Sequence, residues 1–201
     1  DQNYDISYTP GTFTIIDMLP QNVTVEDIAA KTYGDEPFKL NVTYDAESGL
    51  TQTSYESSDT SVATVSEDGT VTIVGAGTTL IKVTVAGSDT YSEAVITKEL
   101  NVGKANLTVT ANTMAMTYGD PVPEGFITYE GLVNGDTEAA LPVDLESIGT
   151  KPAAGTYAYT PIGIETNNYN VTCIPGTLTV NKRTLSVGGL QVFDKLADGT
   201  T

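Results

Sequence analysis

Apolar and polar residues alternate along most of this chain, in short runs that end at glycine, proline, serine or aspartate. Alternation with a period of two is typical of β-strands that have one buried face and one solvated face. The clearest runs are 23–25, 38–44, 62–65, 70–74, 81–85, 95–102, 107–109, 126–130, 155–159 and 176–180. Strands at this spacing with turn residues between them predict an all-β protein.

The sharpest of these signals is a hairpin in the middle of the first half. The runs 62–65 and 70–74 are separated by Ser-Glu-Asp-Gly, in which the Asp-Gly pair supplies the positive φ that a tight turn needs. The inner face of this hairpin should carry four side chains. They are Val62, Val65, Val71 and Ile73.

One stretch departs from the β pattern. Residues 137–141 fit a single helical turn, with Glu138 near its start and Pro142 at its end. Asp136 is placed to cap that turn, because a side-chain oxygen at this position can accept a hydrogen bond from the first free backbone N–H groups.

Two phrases of the sequence occur twice. Residues 3–15 reappear without gaps as 168–180, and a phrase that runs from Asn-x-Thr-Val to Thr-Tyr-Gly-Asp occupies both 22–35 and 106–120. Self-similarity of this kind predicts an array of like modules. Since the second copy of the first phrase closes a module, we interpret 1–19 as the closing strands of a preceding repeat.

The stretch 55–81 resembles the bacterial immunoglobulin-like domain, group 2. It contains a Ser-Ser-Asp patch, then Val-Ala-Thr-Val, Asp-Gly-Thr-Val and Gly-x-Gly-Thr in the family's order. Tyr55 stands where the family often has tryptophan. The resemblance implies an immunoglobulin-like sandwich over 20–103.

The stretch 104–182 resembles the bacterial MBG domain of the YGX type. The shared motifs, in order, are Lys-Ala with Leu-Thr-Val, Tyr-Gly-Asp-x-x-Pro, Gly-Leu-Val-x-Gly-Asp, Gly-Thr-Tyr, Asn-Tyr and Gly-Thr-Leu-Thr-Val. Residues 183–201 resemble the start of a further MBG repeat of the related YDG type. The resemblance implies a second small β domain, for which a sandwich and a β-grasp-like fold with one short helical turn both stay open. Short linkers are expected at 19–21 and 101–104.

Charge limits the classes of partner. The formal net charge is −17, with nine lysine and arginine residues and no histidine. Nucleic-acid binding requires basic residues against the phosphates, so we exclude it. The sequence also lacks the run of about 18 apolar residues that a membrane span requires, so we expect no membrane insertion in this region.

The residues give no catalytic site, no cofactor site and no metal site. Without histidine there is no Ser-His-Asp triad and no histidine-ligated metal, and the single cysteine, Cys173, is expected to be a packing thiol. Two further possibilities compete with ordinary structural roles: calcium held by carboxylates, and an isopeptide bond at a buried Lys104. The carboxylates are Asp17, Glu26, Asp27, Asp35 and Asp120.

Both resemblances point to a non-catalytic repeat region of a bacterial cell-surface or secreted protein. The first hypothesis is a stalk or spacer of an adhesin-like protein, whose partners are the neighbouring repeats of the same chain. The alternatives are an adhesin module that binds host glycan or an extracellular matrix protein, and an accessory module of a secreted carbohydrate-active enzyme. A row of exposed tyrosines would favour the adhesin, although the tyrosines of the repeated phrases are expected to be core or turn residues.

Overall fold

A computed structural model describes residue 11 and residues 17–189, and the regular secondary structure of this part consists of β-strands and one 3₁₀ turn. By its contacts the chain divides into two compact units. The first unit extends to residue 106 and also includes 133–136 and 166–170. The second unit comprises the rest of the chain from residue 107 onward. The prediction of an all-β protein made of tandem small domains is confirmed.

The first unit contains nine strands within the described residues. They are β1 Thr24–Val25, β2 Lys31–Thr32, β3 Phe38–Lys39, β4 Val42–Thr43, β5 Thr53–Ser57, β6 Ala63–Val65, β7 Thr70–Ile73, β8 Gly77–Val85 and β9 Ala94–Gly103. One sheet has the order β2-β9-β8-β5, a second has the order β3-β7-β6, and β1 pairs with β4.

The core of the first unit follows from the alternation in β8. Ile81, Val83 and Val85 are fully buried. Of the residues between them, Lys82 is exposed and Thr84 is half-buried. Burial of three such side chains contributes on the order of 5 kcal/mol or more, since each contributes about 1.5–3 kcal/mol. The strand pairs along its whole length with β9 and, on its other side, with β5, so it is an inner strand of its sheet.

The predicted strand 38–44 is two strands that belong to different pairs. The alternation of burial continues through the segment, but β3 pairs with β7 whereas β4 pairs with β1. The switch occurs at Leu40 and Asn41: the Leu40 N–H donates to the Gly69 carbonyl, and the Asn41 carbonyl accepts from the Glu26 N–H. The period of the side chains cannot reveal such a change, because it does not depend on which neighbour the backbone bonds.

The predicted hairpin is β6 and β7, and Gly69 has the positive φ of 81° that its turn needs. The Ser66 N–H donates to the Thr70 carbonyl at 2.9 Å. Val71 and Ile73 are buried as expected, but Val65 is only half-buried. Ala63, opposite Ile73, is fully buried in addition.

The second unit contains eight strands within the described residues. They are β10 Ala105–Ala111, β11 Met114–Thr117, β12 Ile127–Glu130, β13 Asp144–Leu145, β14 Gly155–Tyr159, β15 Pro161–Ile162, β16 Tyr169–Ile174 and β17 Gly176–Asn181. The sheets have the orders β12-β10-β16 and β11-β17-β14, and β13 pairs with β15. The first two residues of β10 and of β16 count with the first unit.

Two three-stranded sheets and no long helix in the described residues favour a sandwich over a β-grasp-like fold. A hydrophobic cluster joins β10, β11, β14 and β17. Its buried members are Ala111, Met116, Tyr159, Leu178 and Val180.

The repeated phrase at 168–180 forms β16 and β17, which lie in different sheets. Gly176 is the first residue of β17, at the crossing where the chain passes from one sheet to the other. A Cβ atom there would overlap the carbonyl oxygen of Asn112, so only glycine fits without a shift of the backbone. The first copy of this phrase, at 3–15, lies outside the described residues except for Gly11.

The single helical turn exists as a 3₁₀ turn at Glu138–Ala140, but its predicted cap is wrong. The capping position is Thr137, which makes no side-chain capping hydrogen bond. The Asp136 carboxylate bonds two tyrosine hydroxyls instead.

The predicted linkers are short in the structure. Lys104 is the single residue between β9 and β10. At the other linker, Leu19 bridges Tyr91, and the Gln21 side chain donates to the carbonyls of Ala86 and Ser92 at 3.1 and 2.7 Å. Leu19 and Gln21 are therefore hydrogen-bonded to the segment 86–92 of the first unit.

Candidate functional site

The two Thr-Tyr-Gly-Asp phrases form turns of the same kind. Gly34 has a φ of 95°, and the Asp35 N–H donates to the Thr32 carbonyl at 3.0 Å. Gly119 has a φ of 90°, and the Asp120 N–H donates to the carbonyl three residues earlier at the same distance. Glycine is required because this φ is rare for residues that have a Cβ.

Each turn also donates a backbone hydrogen bond to the strand that comes last, in chain order, within its unit. The Tyr33 N–H donates to the Gly103 carbonyl at 2.8 Å, where β2 runs parallel to β9. The Tyr118 N–H donates to the Asn181 carbonyl at 2.8 Å, where β11 runs parallel to β17. The repeated phrase therefore forms the same structural motif twice. In each copy a short strand runs parallel to the last strand of its unit, which we call the closing strand, and a tight turn follows.

The Tyr33 side chain lies in a cluster inside the first unit. Its ring meets the Tyr169 ring edge to face, with centroids 5.5 Å apart. Both hydroxyls donate to one oxygen of Asp136, Tyr33 at 3.0 Å and Tyr169 at 2.6 Å. The Asn134 side-chain amide donates to the Tyr33 hydroxyl at 3.3 Å. We call Tyr33, Tyr169, Asp136 and Asn134 the tyrosine–aspartate cluster.

Burial and charge act together on the cluster. Burial, followed by the hydrogen bond to Asp136, raises the pKa of Tyr169 to about 12. Burial likewise raises the pKa of Tyr33. Both phenols therefore stay protonated near neutral pH and act as donors to the carboxylate. Such charge-assisted hydrogen bonds are stronger than neutral ones.

Two further contacts surround the cluster. A Cβ at Gly34 would overlap the Val133 side chain, so the turn lies directly against this valine. The Asn168 side-chain oxygen accepts a hydrogen bond from the Ala76 N–H at 3.0 Å. The sequence did not predict this cluster, although its members Tyr33, Asp136 and Tyr169 all lie in motifs that it singled out.

The turn at Tyr118 has different surroundings. A shallow cavity of about 410 Å³ beside it is lined by Tyr118, Ala153, Ala154, Lys182 and Arg183. The Arg183 Nε donates to the Tyr118 carbonyl at 2.7 Å, and its guanidinium pairs with the Asp120 carboxylate.

Three of the five carboxylates considered for calcium have partners within the protein. The Asp35 carboxylate accepts the Thr32 N–H of its own turn at 2.9 Å, and Asp27 pairs with Lys98 at 2.6 Å. Asp120 pairs with Arg183, as described above. Within residues 17–189, no three carboxylate or cysteine side chains are grouped closely enough to hold a metal ion.

Other candidates have ordinary environments. Lys104 is exposed, which removes the buried lysine that an isopeptide bond needs. Cys173 is a free thiol, half-buried on the same face of β16 as Val171. No helix in the described part of the chain has both the length and the apolar character that crossing a membrane requires.

Two segments of the chain match known families. Residues 107–179 match the family described as MBG domain (YGX type). This segment is an MBG domain. Residues 40–87 match the family described as intimin, immunoglobulin-like domain. The predicted order, an immunoglobulin-like domain followed by an MBG domain, is confirmed.

The MBG domain supplies two members of the tyrosine–aspartate cluster. Asp136 ends its Gly-Leu-Val-Asn-Gly-Asp motif, and Tyr169 belongs to its Asn-Tyr motif. Both motifs were recognised in the sequence as marks of the family, but their side-chain roles became visible only in the structure.

Solved structures of S-layer proteins are similar to parts of the chain. One is the crystal structure of the S-layer protein rSbsC(31-844), at 15% identity and a TM-score of 0.32, over 82% of this chain and 28% of that chain. Another is surface layer protein SbsC, domains 1-6, at 16% identity and a TM-score of 0.30, over 89% and 30%. The chain thus spans less than a third of either structure. No curated protein matches the chain.

Proposed function

We propose that this chain is a non-catalytic repeat region of a bacterial surface or secreted protein, and that it acts as a stalk or spacer of an adhesin-like protein. The observation that carries the proposal is the single residue, Lys104, between the last strand of the immunoglobulin-like domain and the first strand of the MBG domain. A spacer needs short connections, because a long flexible linker would let its modules collapse on one another.

The surface supports the same role. Within residues 17–189 the exposed aromatic side chains, Tyr118 and Phe126, are not part of a row along one strand. Scattered apolar residues do not indicate a ligand surface. The net charge of −17 keeps copies of such a protein apart and soluble at high local density.

The test is a binding measurement on the full chain. The immobilised chain is exposed to mucins, glycans and matrix proteins by biolayer interferometry, with and without calcium. The spacer role predicts no saturable binding to any of them, while circular dichroism shows that the immobilised sample is folded.

Saturable binding to one class of ligand would overturn the spacer role in favour of an adhesin module. The pair Phe126→Ala and Tyr91→Ala would then be compared, since Phe126 is strongly exposed and Tyr91 is half-buried beside Leu19. Binding only to soluble polysaccharide would instead indicate an accessory module of a carbohydrate-active enzyme.

A further inference from the structure

The turn at Tyr118 repeats the turn at Tyr33, but the described residues that bury the Tyr33 side chain have no counterpart at Tyr118. We call the residues that bury Tyr33 its cover. The two turns have the same sequence, the same glycine conformation and the same bond to a closing strand. Tyr33 is 4% exposed, whereas Tyr118 is 50% exposed. Within the described residues the Tyr118 hydroxyl has no hydrogen bond, although the Tyr33 hydroxyl has two.

The cover of Tyr33 has a specific chemistry. It consists of a carboxylate, a second phenol and a valine, contributed by Asp136, Tyr169 and Val133. All three lie in motifs of an MBG domain that begins just after the closing strand bonded by Tyr33. A complementary group for Tyr118 would therefore come from an MBG domain that begins after Asn181.

The sequence after Asn181 has the pattern of such a beginning. Lys182-Arg183-Thr184-Leu185-Ser186-Val187 aligns with Lys104-Ala105-Asn106-Leu107-Thr108-Val109, which leads into β10. Leu107 and Val109 are 1% and 0% exposed, but Leu185 and Val187 are 87% and 72% exposed. This second stretch has the alternation of a first strand, but no sheet within residues 17–189 buries it.

The charge at the second turn suits an acidic cover. Lys182 and Arg183 line the cavity beside Tyr118, in a chain that has only nine basic residues. Arg183 also bonds the turn itself through the Tyr118 carbonyl and the Asp120 carboxylate, which fixes the start of the next strand against the turn. A carboxylate that approached Tyr118 would meet both cations.

We propose that the Tyr118 turn is the docking site of a following MBG-type repeat, which would place an aspartate from its Gly-Asp loop and a tyrosine from its Asn-Tyr motif against the Tyr118 side chain. The inference rests on the proposed spacer role, since it supplies the contact that joins one repeat to the next. The partner is thus a neighbouring module of the same array.

The test duplicates a segment of the full chain. Residues 106–183 are repeated once after Arg183, so that a complete MBG domain follows the Tyr118 turn. Tyr118→Phe in the first copy should lower the melting temperature by about 4–8 °C, because a buried carboxylate loses a donor. In the 201-residue chain the same substitution should shift it by about 1 °C or less, because an exposed hydroxyl is removed.

The duplicated chain carries its own control. Tyr118→Phe in the second copy, which has no further MBG domain after it, should have the small effect. Asp136→Asn in the second copy should lower the melting temperature as well, and combining it with Tyr118→Phe in the first copy should cost less than the sum of the two.

Equal effects of Tyr118→Phe in the single and duplicated chains would overturn the proposal, and so would strict additivity with Asp136→Asn. A duplicated chain that does not fold counts against it too, because the added domain would then lack the surface it needs. Dimerisation of the single chain that Tyr118→Phe abolishes would assign the turn to a second molecule instead. None of these results depends on ligand binding, so a failed docking site and a failed spacer role are distinguishable.

Discussion

At the scale of single residues, Asp136 holds two aromatic side chains that are far from it in the sequence. Its carboxylate accepts from Tyr33 and Tyr169, which lie 103 and 33 positions away. Truncating one member of such a group leaves polar atoms without partners, which costs about 1–3 kcal/mol for each buried atom. The same side chain was predicted to cap the adjacent helical turn, a local role that any aspartate at that position could fill.

A second aspartate gives a pH-dependent prediction. Hydrogen bonds from the Ser66 and Thr70 side chains and from the Thr70 N–H lower the pKa of Asp68 to about 2. The unfolded value is about 3.9. Because the folded pKa is lower, the stabilisation is present above about pH 4 and is lost as the pH falls toward 2.

The measurement is a carboxyl-carbon NMR titration of the full chain between pH 6 and 1.5. Asp68→Asn should remove the low-pH transition. It should also make the free energy of unfolding, measured with urea, depend less on pH in this window. Glu67→Gln, at the neighbouring exposed position of the turn, is the matched control and should leave the Asp68 titration in place. An Asp68 midpoint near 4 would contradict the prediction.

At the scale of elements, the crossing between β16 and β17 depends on one missing side chain. Gly176→Ala would bring a methyl group into the Asn112 carbonyl. Adding a group to a well-packed region typically lowers the free energy of unfolding by about 1–3 kcal/mol. We expect a lower midpoint of urea unfolding for the MBG domain.

Gly188→Ala is the control for this substitution. Its added methyl would meet no atom within 4 Å, and its φ does not require glycine. It should leave the urea midpoint unchanged, apart from a small gain from the stiffer unfolded chain. Equal midpoints for the two variants would mean that the crossing relaxes without cost.

Elements were predictable where the sequence repeats a local pattern. The β6–β7 hairpin and β8 follow from turn chemistry and from alternation, which are properties of neighbouring residues. The division of 38–44 between two pairs, and the cluster around Tyr33, depend on long-range partners. Strand partners and side-chain clusters of this kind are set by the packing of segments that are distant in the sequence. A short stretch of sequence therefore does not reveal them.

At the scale of the whole molecule, repulsion among like charges is the main electrostatic feature. The net charge is −17, and the ion pairs in the described residues involve mainly exposed side chains, whose contribution to stability is small. We expect the melting temperature to rise by a few degrees between 10 mM and 300 mM NaCl, because salt screens the repulsion.

Calcium chloride at the same ionic strength provides the control for this experiment. Screening alone predicts nearly equal melting temperatures in the two salts. A saturable further increase at micromolar to millimolar calcium would show a specific site, since a ligand that binds only the folded state stabilises it by mass action. Asp35→Asn would then test whether the first Tyr-Gly-Asp turn takes part.

We expect the parallel strand pair of each unit to determine how that unit responds to mechanical tension. β11 lies near the start of the MBG domain and β17 closes it, so a pull on the two ends draws these strands in opposite directions along their length. Their hydrogen bonds then share the load at once, whereas those of a hairpin pulled at its open end break one after another. The β11–β17 register spans four residue pairs and that of β2–β9 spans two, so the MBG domain contains the longer shear clamp.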